Sequence, residues 1–92
     1  MKNIIRTEKA GVFFGDIKNR NGNEVTLNNV RRLWHWDGAC SLSQLAVDGT
    51  SCPDDCKFTV AVEEMTILGV IELIPCTKKA IDSINGVKEW KS

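Results

Sequence analysis

The side chains best suited to chemistry lie together in one short segment, 31–36, which reads Arg-Arg-Leu-Trp-His-Trp. This segment contains two of the three tryptophans and the only histidine of the chain. An arginine beside indole rings can stack through a cation–π interaction, or can hold a base and its phosphate. The tryptophans can equally fill the core or anchor a subunit contact, with Arg32 packed along them or paired to Asp37. The candidate binding or interface residues are therefore Arg31, Arg32, Trp34, His35 and Trp36.

The spacing of these residues divides them between two faces if the segment is a strand. Successive side chains of a strand point to opposite faces, so Arg32, Trp34 and Trp36 share one face and Arg31, Leu33 and His35 share the other. We expect truncation of Trp34 to Ala to destabilise the fold strongly, as loss of a buried aromatic does. Trp36 lies nearer the turn at Asp37-Gly38, and we expect its truncation to weaken self-association or binding instead.

Four cysteines form a candidate zinc set: Cys40, Cys52, Cys56 and Cys76, with His35 in reserve. Cys52 and Cys56 have C-x3-C spacing rather than the tighter C-x2-C knuckle, and they are also the candidates for a disulfide. Cys40 and Cys76 stand at the ends of predicted elements, where a free cysteine can act as a small apolar residue. We favour unligated thiols, and we expect no metal and no cofactor.

The residues that enzymes require are scarce in this chain. It has one histidine, no serine elbow, no phosphate-binding glycine loop and no paired carboxylates in an apolar frame. Cys40 and His35 are close enough in sequence to form a thiolate–base pair, but neighbours at a strand end explain the spacing equally well. We therefore predict no catalytic residues and no enzymatic activity.

Length and charge bound the class of protein. With 92 residues, the chain makes one domain over 1–92, whose small core favours oligomerisation. Twelve basic and twelve acidic side chains cancel, which argues against broad nucleic-acid binding. A local basic patch remains as the basis of a weaker alternative, and its members would be Arg6, Lys18, Arg20, Arg31 and Arg32.

Neither a leader peptide nor a membrane span is expected. Charged residues interrupt 1–8 before an apolar region forms, and the longest apolar run, 65–75, includes Glu72 and has about half the length of a span. We expect a cytosolic protein with reduced cysteines and no membrane partner.

The pattern of elements predicts an α+β fold: a small, mainly antiparallel sheet, made of an N-terminal β-hairpin and two later strands, with two short helices. The pair Asn21-Gly22 predicts the hairpin turn, and Asn28-Asn29 predicts a bulge in its second strand. Ser41 and Thr77 are the predicted N-caps of the helices, which Gly49 and Gly86 end. Phe58, Val60 and Val62 predict a half-buried strand that Glu63-Glu64 breaks, 66–74 predicts the central strand, and Val87 and Trp90 are expected to return to the sheet.

The block Val30–Ala39, followed by Ser41–Ala46, resembles a family of short uncharacterised bacteriophage and prophage proteins. That family carries the pattern ARRLWYW-x-GA-x-SLSQLA, a Cys-Lys-Phe strand and an IEIIPCTEKA segment ending near Trp. The corresponding residues here are 56–58, 71–80 and 88–90. His35 stands where the family has Tyr, and Cys40 where it has a small residue. The resemblance implies a viral or prophage origin and no particular activity.

Together these observations favour a non-enzymatic, phage-encoded accessory protein that acts by binding, as a homo-oligomer. The expected partner is a host protein or a small nucleotide-type ligand. The alternative is a structural or assembly component incorporated in the virion, and the weaker alternative is a helper associated with nucleic acid. Presence in purified particles would favour the virion component.

Overall fold

The computed structural model describes residues 1–91, which form six strands and two helices. These are β1 (Lys2–Thr7), β2 (Val12–Asn21), β3 (Glu24–His35), α1 (Leu42–Asp48), β4 (Lys57–Phe58), β5 (Val62–Ile67), β6 (Val70–Pro75) and α2 (Lys78–Asn85), with one 3-10 turn at Pro53–Asp55. All paired named strands are antiparallel. The fold confirms the predicted α+β class, the N-terminal hairpin and the two short helices.

Strands β5 and β6 form a bent crossover rather than the predicted single central strand over 66–74. The sheet order is β4-β3-β2-β1-β6, and β5 pairs with the remaining part of β3. Because β1 and β3 are both antiparallel to β2, their partners β6 and β5 run in the same direction as each other. Between β5 and β6 the chain passes from β3 to β1. The bend lies at Leu68-Gly69, where Gly69 has φ +74°. Gly69 permits this positive φ, which strand propensity alone does not reveal.

Two further predictions about strands were wrong. Glu63 and Glu64 do not break a strand but lie within β5, and the predicted strand at Phe58 covers only Lys57–Phe58. Both glutamates are exposed, and Glu64 accepts a hydrogen bond from Lys18 at 2.6 Å. Charged side chains are well tolerated on an edge strand because one side of the strand faces water. Strand β1 was not predicted at all.

The central strands have two buried faces. Alternate residues of β1 enter different cores: Ile4 packs with the helices, in what we call the helix-side core, and Ile5 packs beneath the crossover, in the strand-side core. Phe14 and Phe13 of β2 divide in the same way. A sheet covered on both faces explains why these segments read as continuous apolar runs.

The predicted bulge is confirmed at Asn29, which has φ 52°. Phe14 pairs with Arg31, whereas Asp16 pairs with Asn28, so β3 carries one extra residue there. Strand β3 pairs with β5 up to Val30 and with β4 from Leu33. The extra residue reverses the alternation of faces, so that Arg31 and Leu33 lie on the helix side of the sheet.

Both predicted helix caps are present. The Ser41 hydroxyl accepts from the Gln44 N–H at 3.1 Å, and the Thr77 hydroxyl accepts from the Ala80 N–H at 3.1 Å. The side-chain oxygen of Gln44 accepts a hydrogen bond from the N–H of Cys40, one residue before the cap. Gly49 ends α1 with φ +75°, as predicted. These caps satisfy helix-end N–H groups that would otherwise lack partners.

Candidate functional site

The site is centred on two tryptophans that lie on the surface. Trp34 near the end of β3 is 62% exposed and Trp90 near the C-terminus is 44% exposed. Their ring centroids are 6.1 Å apart and their planes are inclined by 20°, which is a stacked arrangement. A stack of two large, partly exposed indoles keeps much apolar surface in water.

The expected roles of Trp34 and Trp36 are reversed in the structure. Trp36 is half-buried and packs against the helix-side core, whereas Trp34 is exposed. The strand ends at His35, so the alternation of faces stops before Trp36. Trp34 itself lies within β3, at an exposed position. The premise that the Trp34 ring is buried was therefore wrong, whereas the effect of its truncation on stability stays a prediction.

The C-terminal segment packs back on the sheet, as predicted, and brings Trp90 against Trp34. Val87 is buried in the helix-side core, and the Trp90 N–H donates to the Phe58 carbonyl at 2.8 Å. A parallel bridge joins Phe58 to Glu89. The pairing of Trp34 with Trp90 itself was not predicted, because it depends on this contact between distant parts of the chain.

Arg31 is buried within the fold rather than exposed. It is 6% exposed and donates to four main-chain carbonyls, those of Phe58, Thr59, Ile84 and Lys88. Its guanidinium carbon also lies 5.6 Å from the Phe58 ring centroid. Burial lowers the pKa of the Arg31 guanidinium, and the Glu89 carboxylate opposes that shift. Arg31 therefore joins β4 to the end of α2 and to the segment that carries Trp90.

The members of the predicted basic patch are mostly engaged within the fold. Arg32 is half-buried, with its guanidinium carbon 4.9 Å from the Phe13 ring centroid. Arg6 pairs with Glu72 at 3.1 Å, and Lys18 pairs with an exposed glutamate of β5. Arg20 is exposed and only donates to the nearby Gly22 carbonyl at 3.5 Å. Four of the five predicted members are therefore engaged by other parts of the fold.

An open depression of about 520 Å³ lies beside the tryptophan pair. We call it the tryptophan depression, and its lining residues are Trp34, His35, Asp37, Asp54, Asp55, Cys56, Lys57 and Trp90. The Lys57 ammonium lies 5.5 Å from the Trp90 ring centroid, and His35 Nε2 lies 3.3 Å from an Asp37 carboxylate oxygen. Asp54 and Asp55 form no ion pair within residues 1–91.

The loop that carries Asp37 is held tightly against a neighbouring loop. The Asp37 carbonyl accepts from the Thr50 hydroxyl and from the Cys56 thiol. Gly38 has φ +82°, and a Cβ placed there would lie 2.6 Å from the Cys52 nitrogen. Only glycine fits this close approach, so the backbone that carries Asp37 is held in one position.

A second, more apolar depression of about 230 Å³ lies on another side of Trp34. Its lining residues are Ala10, Gly11, Val12, Arg32, Leu33, Trp34 and Trp36. Trp34 thus borders both depressions. Four of the five sequence-predicted binding residues line the two depressions: Trp34 and His35 the first, and Arg32 and Trp36 the second. Arg31 lines neither of them.

The four cysteines are free thiols. Over residues 1–91, no three His, Cys, Asp or Glu side chains come together in a group that could hold a metal ion. Cys40 is exposed, whereas Cys76 is buried. Burial raises the pKa of the Cys76 thiol to about 11. The candidate zinc ligands Cys40, Cys52, Cys56 and Cys76 therefore do not form one centre.

A family described as a domain of unknown function (DUF6948) matches residues 1–84. The chain belongs to this family. The matched residues include Trp34, the three aspartates and the lysine of the tryptophan depression, whereas Trp90 lies beyond them. No curated protein matches the chain, and no solved structure does. Within residues 1–91, no helix has both the length and the apolar character that crossing a membrane requires.

Proposed function

We propose that this protein is a non-enzymatic binding protein, encoded by a bacteriophage or prophage, that captures a host protein in the host cytoplasm through the tryptophan pair. The observation that carries the proposal is the exposed stack of Trp34 on Trp90. Tryptophan is strongly enriched among residues that dominate the free energy of protein association. An indole that contributes little to the core but remains on the surface is well placed for that use.

The surface around Trp34 has the anatomy of an association site. Two depressions border one exposed indole, and charged side chains surround the first of them. Burial of apolar area contributes about 25 cal/mol per Å² before the costs of association are subtracted. A partner that covered both indoles would therefore gain most of its stabilisation at this point.

The acidic lining favours a protein over a nucleotide-type ligand. Asp37, Asp54 and Asp55 line the tryptophan depression, and Lys57 is its one lysine. Phosphate groups placed beside these carboxylates would be repelled, since like charges in an interface are costly. The buried position of Arg31 removes a second group that phosphate binding would use.

The phage or prophage origin rests on the sequence resemblance of Val30–Ala39, Ser41–Ala46 and 71–80. The match to a family of unknown function is compatible with that origin and adds no activity to it. The exposed tryptophan pair, rather than the family match, is what supports a binding function.

Self-association is a further part of the proposal. Strand β6 stands at one end of the sheet order, and Ile71 within it and Leu68 just before it are exposed apolar residues. An open strand edge with apolar side chains is a ready pairing surface, and a net charge of zero does little to keep copies apart. Light scattering should show an oligomer at micromolar concentration, and a strict monomer would contradict this part.

The proposal is tested by capture of host proteins on the immobilised chain, with bound proteins identified by mass spectrometry. Trp34→Ala should lose the captured protein while melting within a few degrees of the unaltered chain. Val47→Ala is the matched control, because Val47 on α1 is 54% exposed and lies outside both depressions. Equal capture by the unaltered chain and by Trp34→Ala would refute the proposal.

A further inference from the structure

We infer that the tryptophan depression receives an arginine or lysine side chain from a basic segment of the partner protein. This inference rests on the proposed function and specifies the chemistry of its partner. It is carried by the charge and the aromatic surface of the tryptophan depression together.

The indole rings can bind the cation through their faces. A cation over the face of a tryptophan is attracted by the negative face of the ring, and the guanidinium of arginine also stacks on it. The chain already places one cation in this way, since the Lys57 ammonium lies 5.5 Å from the Trp90 ring centroid. Trp34, the more exposed ring of the pair, is the surface left for an incoming cation.

The carboxylates of the tryptophan depression can pair with the charge of the same cation. Asp37, Asp54 and Asp55 outnumber the one lysine in the lining, and the last two have no cationic partner within the described part of the chain. A guanidinium can bind a carboxylate through two parallel hydrogen bonds while its plane stacks on an aromatic ring. Arginine should therefore bind more tightly than lysine.

The backbone around the tryptophan depression is ordered in the unbound chain. Pro53 begins the 3-10 turn that carries Asp54 and Asp55, and the tight Gly38 loop holds the backbone at Asp37. Arg31 anchors the segment before Trp90 through the carbonyls of Ile84 and Lys88. Preorganisation lowers the entropic cost of association, so even a short basic segment should bind measurably.

The test uses rhodamine-labelled Gly-Ser peptides that carry two arginines, two lysines or two glutamates, with labelled oligo(dT) as a further probe. Fluorescence anisotropy should rank the arginine peptide first, the lysine peptide second, and the other two probes near background. Binding should weaken as salt rises, because the attraction between charged groups is screened.

Variants assign the binding to the two halves of the site. Trp34→Ala should weaken the arginine peptide about tenfold, the size of one cation–π contact on a partly desolvated ring. The double variant Asp54→Asn/Asp55→Asn should weaken it about threefold to tenfold, as the loss of two exposed charge pairs does. Val47→Ala should leave it within about twofold, since its side chain lies outside the site.

The outcomes separate this inference from the proposed function. If Trp34→Ala abolishes host-protein capture, but the glutamate peptide or oligo(dT) binds as well as the arginine peptide, the inference is wrong and the proposed function stands. If Asp54→Asn/Asp55→Asn leaves arginine-peptide binding unchanged, the inference is also wrong. If Trp34→Ala instead converts an oligomer to a monomer without changing peptide binding, a second copy occupies the surface, and both this inference and the capture of a host protein through the tryptophan pair are wrong.

Discussion

Trp34 and Trp36 are two residues apart, yet they belong to regions with opposite uses. Around Trp36 and Arg31 the chain forms a support region, in which side chains pack into the helix-side core or satisfy buried carbonyls. Around Trp34 it forms a display region, in which indoles and carboxylates face water. One short segment thus supplies both regions, and the type of a residue does not decide which region it joins.

The bulge and the strand end produce this division. The extra residue at Asn29 shifts the pairing of β3, so that Arg31 turns toward α2 rather than toward the strand-side core. The end of the strand at His35 then releases Trp36 from the alternation and lets it pack inward. Sequence spacing predicts the faces of an uninterrupted strand, and this strand is interrupted at both points.

The largest effect is expected at Arg31. Arg31→Met should lower the free energy of unfolding by about 3–5 kcal/mol, because several buried carbonyls lose their donor. Arg31→Lys should recover only part of this loss, since one ammonium cannot reach carbonyls on three segments. Urea denaturation measures both variants, and a loss below about 1 kcal/mol for Arg31→Met would show that Arg31 is not a support residue.

A similar but smaller effect is expected where the two helices approach each other. At Gly49, φ is +75° and an added Cβ would lie 2.3 Å from the Ser83 Cβ. Gly49→Ala should therefore cost about 2–3 kcal/mol, from strain and from displacement of Ser83. Gly22→Ala is the matched control: φ is also positive at Gly22, but nothing lies within 4 Å of an added Cβ. A thermal melt in which the two variants shift Tm equally would contradict the crowding at Gly49.

The cysteines provide a chemical contrast between buried and exposed positions. Cys40 should react rapidly with a thiol reagent, and Cys76 should react only as fast as the fold opens.

Because burial raises the pKa of Cys76 to about 11 from its ordinary value of 9.0, the unfolded chain loses this proton first. The stabilising contribution is complete below pH 9.0 and is lost as pH rises to about 11. The alkaline decline of stability should be shallower in Cys76→Ala, and identical slopes would contradict the raised pKa.

Local signals explain which parts of the fold were predictable from the sequence. The caps Ser41 and Thr77 and the bulge at Asn29 each depend on a few neighbouring residues, and all are present. The hairpin is also present, but its turn lies at Gly22-Asn23, one residue after the predicted pair, because Asn21 still pairs with Glu24. The bend at Leu68-Gly69 was missed because two partners, β3 and β1, divide one apolar run between them.

The site was predictable only in part for the same reason. Segment 31–36 stood out by its composition, and Trp90 was expected to return to the sheet. The stack of Trp90 on Trp34 and the approach of Asp54 and Asp55 are contacts between distant segments, which no local pattern encodes. The adjacent pair Asp54-Asp55 was the sequence signal available for this part of the site. Its relevance follows only from its position beside the indoles.

The most direct test of the division into support and display compares Trp34→Ala with Trp36→Ala in urea denaturation. We predict that Trp36→Ala lowers the free energy of unfolding by about 2–3 kcal/mol, as removal of a half-buried aromatic should. Trp34→Ala should lower it by less than about 1 kcal/mol, because its ring is mostly in water. A greater loss for Trp34→Ala than for Trp36→Ala would agree instead with the expectation from sequence that Trp34 supports the fold, and would contradict the assignment of Trp34 to a binding surface.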